Sequence, residues 1–465
     1  MGSPKVVVIG AGSMFFGRQV IWKMTRSEVL RGGTLALVDT DAGILRKMVR
    51  LARKVVSATR APLRIEASTD RREVLRGADF VVLTFADRGV YFRGVDCEVS
   101  AKYGVRMCSG DTIGPGGIFR ALRAIPSALA CARDVERLCP DAWLINYINP
   151  TTCLGIALMR HAPNLRSFAL CDGHHEPYFR ERVLREVGVL GPQEPLTAAH
   201  ERKLDLAVGG VNHCTFMVRF RYDGRDMLPA WRRKVAERAA KESADEAYSK
   251  RRFNNRYALA LMDIYGAYPT AVGHTKEYVP FWQGYSTSPP DLPPIDIFSA
   301  AQRAELVAKV WAEIDDYNAG RKPITHFLEN MRSDHASDII ENMWGGLGRA
   351  YYINSPNRGA VTNMAPDAFL ELRCDIDMHG PRPQPFGEMP RGLLALQQQV
   401  LDTHELTVAA AVSGDRGLLL RAFMTDPIVN SISDAKKIMA ELFARERDAL
   451  PAFWFRRSRK PKVRV

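Results

Sequence analysis

The spacing of apolar positions changes in a regular way along the chain. Residues 5–9 (KVVVI), 34–39 (TLALVD), 80–85 (FVVLTF), 142–148 (AWLINYI) and 167–171 (SFALC) are short apolar runs closed by Gly, Asp, Asn or Cys. Such runs read as strands buried on both faces, the pattern of a parallel sheet. Between them the spacing becomes helical. DAGILRKMVRLARKVV (41–56) and GGIFRALRAIPSALACARDVERL (116–138) place apolar residues on one helix face, the second interrupted by Pro126. Alternating strands and helices predict an α/β fold with a Rossmann-like, doubly wound parallel sheet.

After about residue 195 the texture shifts. KLDLAVGGVNHCTFMVRFRYDG (203–224) predicts paired strands with a turn at Asp223-Gly224. A helical region is expected over 228–266, a Pro-rich loop over 285–295, helices over 298–346, an extended section over 350–375 and helices at the end. We therefore expect two domains: residues 1–195, binding a dinucleotide, and residues 196–465, an α+β domain for substrate, metal and oligomerisation.

Composition narrows the class. A hydrophobic fraction of 46% and a charged fraction of 25% fit an ordinary globular protein. No run is long and apolar enough for a membrane span. MGSPKVVVIGAG enters a strand without a basic leader, so a cytoplasmic protein is expected. Eight cysteines without a CxxC pair or framework spacing agree with reduced thiols. The net charge of +13 raises nucleic acid as a partner, but the positive residues are dispersed. The densest cluster, RRSRKPKVRV at the end, reads as a solvated tail rather than a nucleic-acid arm. Small anionic substrates are another outlet for the positive balance.

Candidate chemistry sits where strands end. In VVVIGAGSMFFG, Gly10 and Gly12 lie between a strand and a helix, where a pyrophosphate can approach backbone. Phe15 stands where the fingerprint has its third glycine. Asp39 closes the second strand and can accept ribose hydroxyls, which favours NAD over its phosphorylated form. Ser13, Met14 and Asn146 complete the cofactor candidates. GDTIGPGGIFR (110–120) reads as a loop that brings backbone close to a ligand, or as a plain turn. In NYINPTT (146–152), Asn149 precedes a proline at a strand end and can offer donor and acceptor to a hydroxyl. LCDGHHEPYF (170–179) and GGVNHCTF (209–216) set Cys171 and His213 at strand ends. Thiolate plus imidazole is a half-shell for a divalent metal. On spacing alone a buried cysteine and a satisfied histidine are the commoner readings. His174 and His175 read as turn or surface residues.

IGAGS, GDTIGPGGIFRALRAIP, CPDAWLINYINPT, CDGHH, GVNH and NRGAVTNMAPDAFLEL, in this order, resemble glycoside hydrolase family 4. These are NAD- and divalent-metal-dependent glycosidases, distinct from two-carboxylate hydrolases. The likeness spans nearly the whole chain and looks closest to the α-galactosidase and α-galacturonidase side. It implies a lactate/malate dehydrogenase-like fold, a dimer or tetramer, tightly held NAD⁺ and a metal, usually Mn²⁺. It implies oxidation at sugar C3, proton removal at C2, elimination of the aglycone, water addition and return of the hydride. Carried over residue by residue, it implies Cys171 and His213 as metal ligands, Asp172 as acid, and Asn149 and Asn212 on the substrate side. Galactosidase-like members usually have Cys-His where this chain has Cys171-Asp172. The base implied in ALALMDIYGAYPT is Tyr265, with Asp263 as alternative. Arg93 aligns with an arginine that contacts the 6-phosphate in phosphoglycosidase members, and His274 lies in a stretch that reaches substrate or metal. The expected activity is an α-glycosidase. The same mechanism on a 6-phospho, uronide or sulfoquinovoside glycoside is the alternative. A lactate/malate-type dehydrogenase lacks its His–Asp relay here, and a non-catalytic NAD sensor would have no use for the metal pair.

Overall fold

A computed structural model describes residues 2–14, 16–171, 173–242, 252–285 and 292–456. Phe15, Asp172, part of the Pro-rich segment and the basic tail from residue 457 lie outside the described residues. So does part of the 228–266 region. Its described portions are helices Leu228–Ala239 and Asn254–Tyr265.

The strands are β1 (Lys5–Ile9), β2 (Thr34–Val38), β3 (Arg64–Ser68), β4 (Phe80–Leu83), β5 (Trp143–Asn146), β6 (Arg166–Ala169), β7 (Leu204–Val211), β8 (Cys214–Tyr222), β9 (Arg225–Asp226), β10 (Tyr268–Pro269), β11 (Ala350–Pro356), β12 (Phe369–Asp377) and β13 (Gly380–Pro383). They form one mixed sheet in the order β10-β8-β7-β12-β11-β6-β5-β4-β1-β2-β3, with β13 on β12 and β9 on β8. β1 to β6 pair in parallel, and everything from β11 to β10 is antiparallel. The join is Asn354 of β11 opposite Ala169 of β6. The second half of the chain therefore extends the first half's sheet, in addition to packing against it.

The apolar runs explain the parallel half. In β1 the side chains of Val6 and Val8 enter one core, and those of Val7 and Ile9 the other. Helices cover both faces, so neither register of the run meets water. β3, RIEAS, escapes the sequence reading because it is an edge strand with a mixed, partly exposed pattern. The helix expected over 116–138 runs from Gly114 to Leu138 straight through Pro126. GPGG is thus its first turn, not a loop before it. The Asp223-Gly224 turn is as expected, with φ of 51° and 77°, the two positive values a tight hairpin needs. Among the described residues no helix is long and apolar enough to cross a membrane.

Candidate active site

The turn after β1 is held by backbone and by the absence of side chains. Gly10 has φ +98°, and a Cβ there would lie 2.7 Å from Phe85 N. A Cβ on Gly12 would strike Ile44. Asp39 at the end of β2 accepts the Gly12 N–H at 2.9 Å and the Asp41 N–H at 3.1 Å. The Ser13 N–H returns to the Gly10 carbonyl at 3.0 Å, and Met14 follows in the turn. Gly17 opens the first helix, Gly17–Arg26, where a Cβ would collide with the Ala11 carbonyl. Gly17 thus supplies the close helix–strand contact of a third glycine. Two extra residues in the turn displace it beyond the usual spacing, which is why the short motif misses it. Asn146, at the end of β5, closes on its own loop. Its amide donates to the Ile148 carbonyl at 3.0 Å and accepts that residue's N–H at 3.2 Å.

A second site is assembled from side chains. β7 and β8 meet at Val211 and Cys214, which leaves Asn212 and His213 as the two-residue hairpin tip. The tip is held by Tyr278, whose hydroxyl accepts the His213 N–H at 2.9 Å, and by the Thr275 hydroxyl on the His213 carbonyl at 2.9 Å. The Asn212 amide donates to Glu371 Oε2 at 2.6 Å, and Glu371 Oε1 lies 2.7 Å from His174 Nδ1, three residues past Cys171. The sequence-distant segments that carry Cys171 and His213 thereby meet at one carboxylate. Burial, helped by the Glu371 carboxylate, pushes the Cys171 thiol up to about 12. A cation beside the sulfur would reverse that. The Cys171 carbonyl accepts from His335 Nδ1 at 3.0 Å. All eight cysteines are free, and all but Cys171 are buried.

The imidazole of His213 stacks on His274, with centroids 4.2 Å apart and planes 11° off parallel. Its Nδ1 lies 3.1 Å from the Thr112 hydroxyl. His274 Nδ1 is 3.5 Å from Asp111 Oδ1. Asp111 is fully buried. Burial would raise its pKa, but Arg93 and His274, with Arg120 behind them, hold its carboxyl well below the usual range. Glu277 anchors the same loop by accepting the Ser109 N–H at 2.7 Å and the Gly110 N–H at 3.3 Å. Burial pushes the Glu277 carboxyl up. Ligand atoms of Asp111, His274 and Glu277 all lie within 4.8 Å of one another. That triad could also hold a cation, but its carboxylates already serve Arg93 and the loop's N–H groups. Asn149 joins weakly: its amide is 3.4 Å from Asp111 Oδ2, and its side-chain oxygen accepts from Thr151 at 2.7 Å.

Other expected residues lie elsewhere or do other work. Arg93 is buried, donates to the Ser109 carbonyl and hydroxyl, pairs with Asp111 at 3.2 Å and covers the Phe298 ring. Asp263 points outward and pairs with Arg232 on the surface. Tyr265 packs its ring on Phe216 with centroids 5.7 Å apart, and burial pushes its hydroxyl up to about 12. Helix geometry explains both. Tyr257, Leu261 and Tyr265 share the core-facing stripe, while Asp263 lies well off it. The Asp263 ion pair and the Tyr265 ring contact lie outside the cluster, although the helix Asn254–Tyr265 packs on the segment that carries His274. His174 is not a surface residue: it is 1% exposed and bound to Glu371. His175 is partly exposed and pairs with Asp338 at 2.8 Å. Asp111, Thr112, Arg120, Glu277 and Glu371 were not singled out from sequence. Asp111 and Thr112 stand inside GDTIGPGG, where attention goes to the glycines.

The sequence model "Family 4 glycosyl hydrolase" matches residues 5–187, and "Family 4 glycosyl hydrolase C-terminal domain" matches 208–429. An α-galactosidase of Bacillus subtilis is 28% identical over 457 residues, covering 97% of this chain and 99% of that protein. An α-galacturonidase of the same organism is 27% identical, covering 94% of this chain and 96% of its own. The 6-phospho-β-glucosidase of Thermotoga maritima, solved with manganese, NAD⁺ and glucose-6-phosphate, has the same fold. Its TM-score is 0.74 at 19% identity, covering 96% of this chain and 99% of that one. The two family matches leave only the short stretch between β6's following helix and β7 and the chain ends unmatched, and the chain belongs to glycosyl hydrolase family 4: it is a glycoside hydrolase.

Proposed function

We propose that the protein hydrolyses α-glycosides with the help of NAD⁺ and a divalent metal such as Mn²⁺. One observation carries the reading: the Glu371 carboxylate holds both the segment that follows Cys171 and the hairpin tip that ends in His213, which brings two distant strand ends together. The Thermotoga relative of the same fold holds manganese, NAD⁺ and a sugar phosphate together. The donor set fits a metal. A thiol and an imidazole are donors that a divalent metal accepts, and Cys171 and His213 would supply them. The Gly10–Gly12 cradle fits a pyrophosphate, and Asp39 has lone pairs left for a ribose hydroxyl.

When bound, NAD⁺ supplies a reversible hydride acceptor and the metal a Lewis acid for sugar oxygens. The chain does the rest. Asn149 and Asn212 orient sugar hydroxyls at the strand edge. Asp172, next to Cys171, is the acid toward the leaving group. The proton acceptor is His274 beside His213, or the expected Tyr265, which packs inward on Phe216; Asp263 pairs with Arg232 on the surface. Asp111 orients the His274 ring, as a carboxylate orients a catalytic imidazole.

A second reading, the same chemistry on a glycoside bearing an anionic group, is favoured by the charge around Asp111. Arg93, Arg120 and Arg303 all act on this one carboxylate. Burial lowers Arg120 to about 10, and its Nε donates to the Asn149 carbonyl at 2.9 Å. The positive surplus suits phosphate, carboxylate or sulfonate. Nitrophenyl α- and β-glycosides, neutral and 6-anionic, assayed with NAD⁺ plus Mn²⁺ and with each omitted, test both readings. Cleavage that requires both additions is the expected result. Cleavage indifferent to them overturns it, and NADH accumulation without cleavage points to a dehydrogenase.

A further inference from the structure

One buried carboxylate, Glu371, grips both segments that carry Cys171 and His213, and we propose that it is the positioning residue of the metal pair. This rests on the reading that Cys171 and His213 hold a divalent metal. Glu371 stands in β12, opposite Gly210 of β7 and Asn354 of β11, and is 1% exposed. Its Oε1 lies 2.7 Å from His174 Nδ1, on the segment that follows Cys171. Its Oε2 accepts the Asn212 amide at 2.6 Å, on the hairpin tip that ends in His213. Beyond the clamp, His174 Nε2 lies 2.7 Å from the Thr270 hydroxyl, which is 2.8 Å from that of Thr215 in β8. Burial acts to raise the pKa of Glu371, but His174 and Asn212 keep its carboxyl below the usual range.

Two consequences follow from this geometry. An amide nitrogen has two hydrogens. Glu371 takes one, and this fixes which way the Asn212 amide faces on the Cys171 side, nitrogen rather than oxygen. Without the carboxylate the amide can rotate and set its oxygen against a thiolate. A fixed anion behind the pair also favours a cation in front of it. Groups of this kind, which orient a metal's ligands without touching the metal, commonly change affinity by about 10–100-fold when removed.

The test is Mn²⁺ binding to the NAD⁺-loaded protein without substrate, read from the electron paramagnetic resonance signal of free Mn²⁺. Co²⁺ absorption through the thiolate serves as a second readout. Glu371→Gln keeps the volume and removes the charge. We expect it to weaken Mn²⁺ binding by about tenfold or more. NAD⁺ affinity and the thermal midpoint should stay close to the parent's. A folded Glu371→Gln protein with parental Mn²⁺ affinity overturns the proposal. Should that variant not fold, His174→Gln cuts one arm of the clamp, and unchanged affinity there overturns the proposal equally. Cys171→Ser with undiminished Mn²⁺ affinity would sink the metal reading itself, a different outcome from either.

Discussion

The turn after β1 and the cluster around Asp111 are held by different means. The turn is made of backbone. Gly10, Gly12 and Gly17 remove Cβ atoms that would strike Phe85, Ile44 and Ala11, and Asp39 fastens the loop through the Gly12 N–H. The cluster is made of side chains from widely separated segments. Arg93, Asp111, His213 and His274 hold one another through paired charges, hydrogen bonds and ring stacking. Substitution should therefore affect the two regions differently: through shape in the turn, through charge and proton position in the cluster.

The largest effect is expected at the metal pair. Cys171→Ser or His213→Ala should abolish glycoside cleavage while NAD⁺ binding, measured by fluorescence titration, stays near the parent value. Loss of both together would break the separation between the regions. Next, His274→Gln should lower kcat by about 10²–10⁴-fold with little change in KM. Unchanged kcat would return the base to another residue. In the turn, Gly17→Ala should destabilise the fold by about 1–3 kcal/mol, because the new Cβ meets the rigid Ala11 carbonyl. Calorimetry would show it, and an unshifted thermal midpoint would mean the first helix can move aside.

A smaller effect concerns pH. Asp426 is buried and accepts the Gly114 N–H at 2.8 Å at the start of the GPGG helix. Burial lifts its carboxyl to about 7 from the ordinary 3.8. Its contribution to stability is therefore full below about pH 4 and is lost as pH rises through 7. Asp426→Asn should flatten that part of the stability–pH curve, seen as a smaller difference in unfolding midpoint between pH 5 and pH 7.5. An identical slope in parent and variant would remove Asp426 from the account. The smallest effect is expected at Asp263→Ala, whose pairing with Arg232 is on the surface. Its activity should match the parent's.

Legibility in the sequence follows the same division. Wherever a short stretch has to satisfy itself, its letters suffice. KVVVI must be buried on both faces, and GAG followed by Asp39 must turn tightly. The Asp223-Gly224 hairpin needs two positive φ values, and the runs between strands need one apolar face. Position along one helix was harder. Tyr265 and Asp263 are two residues apart, and only the packing of Asn254–Tyr265 on Phe216 sends one inward and the other to solvent.

The amino-acid order alone thus determined the parallel half-sheet, the glycine turn and the placing of Cys171, Asn149 and His213 at strand ends, because hydrogen bonding and burial there are local. Tertiary structure alone decided that Glu277 anchors the Ser109–Gly110 backbone, that Arg93 is spent on Asp111 and that His174 is buried against Glu371. It also decided that one sheet runs through both halves by way of Asn354 and Ala169. The physical reason is that a buried charge is settled by whichever distant partner folding brings to it, and no local pattern names that partner.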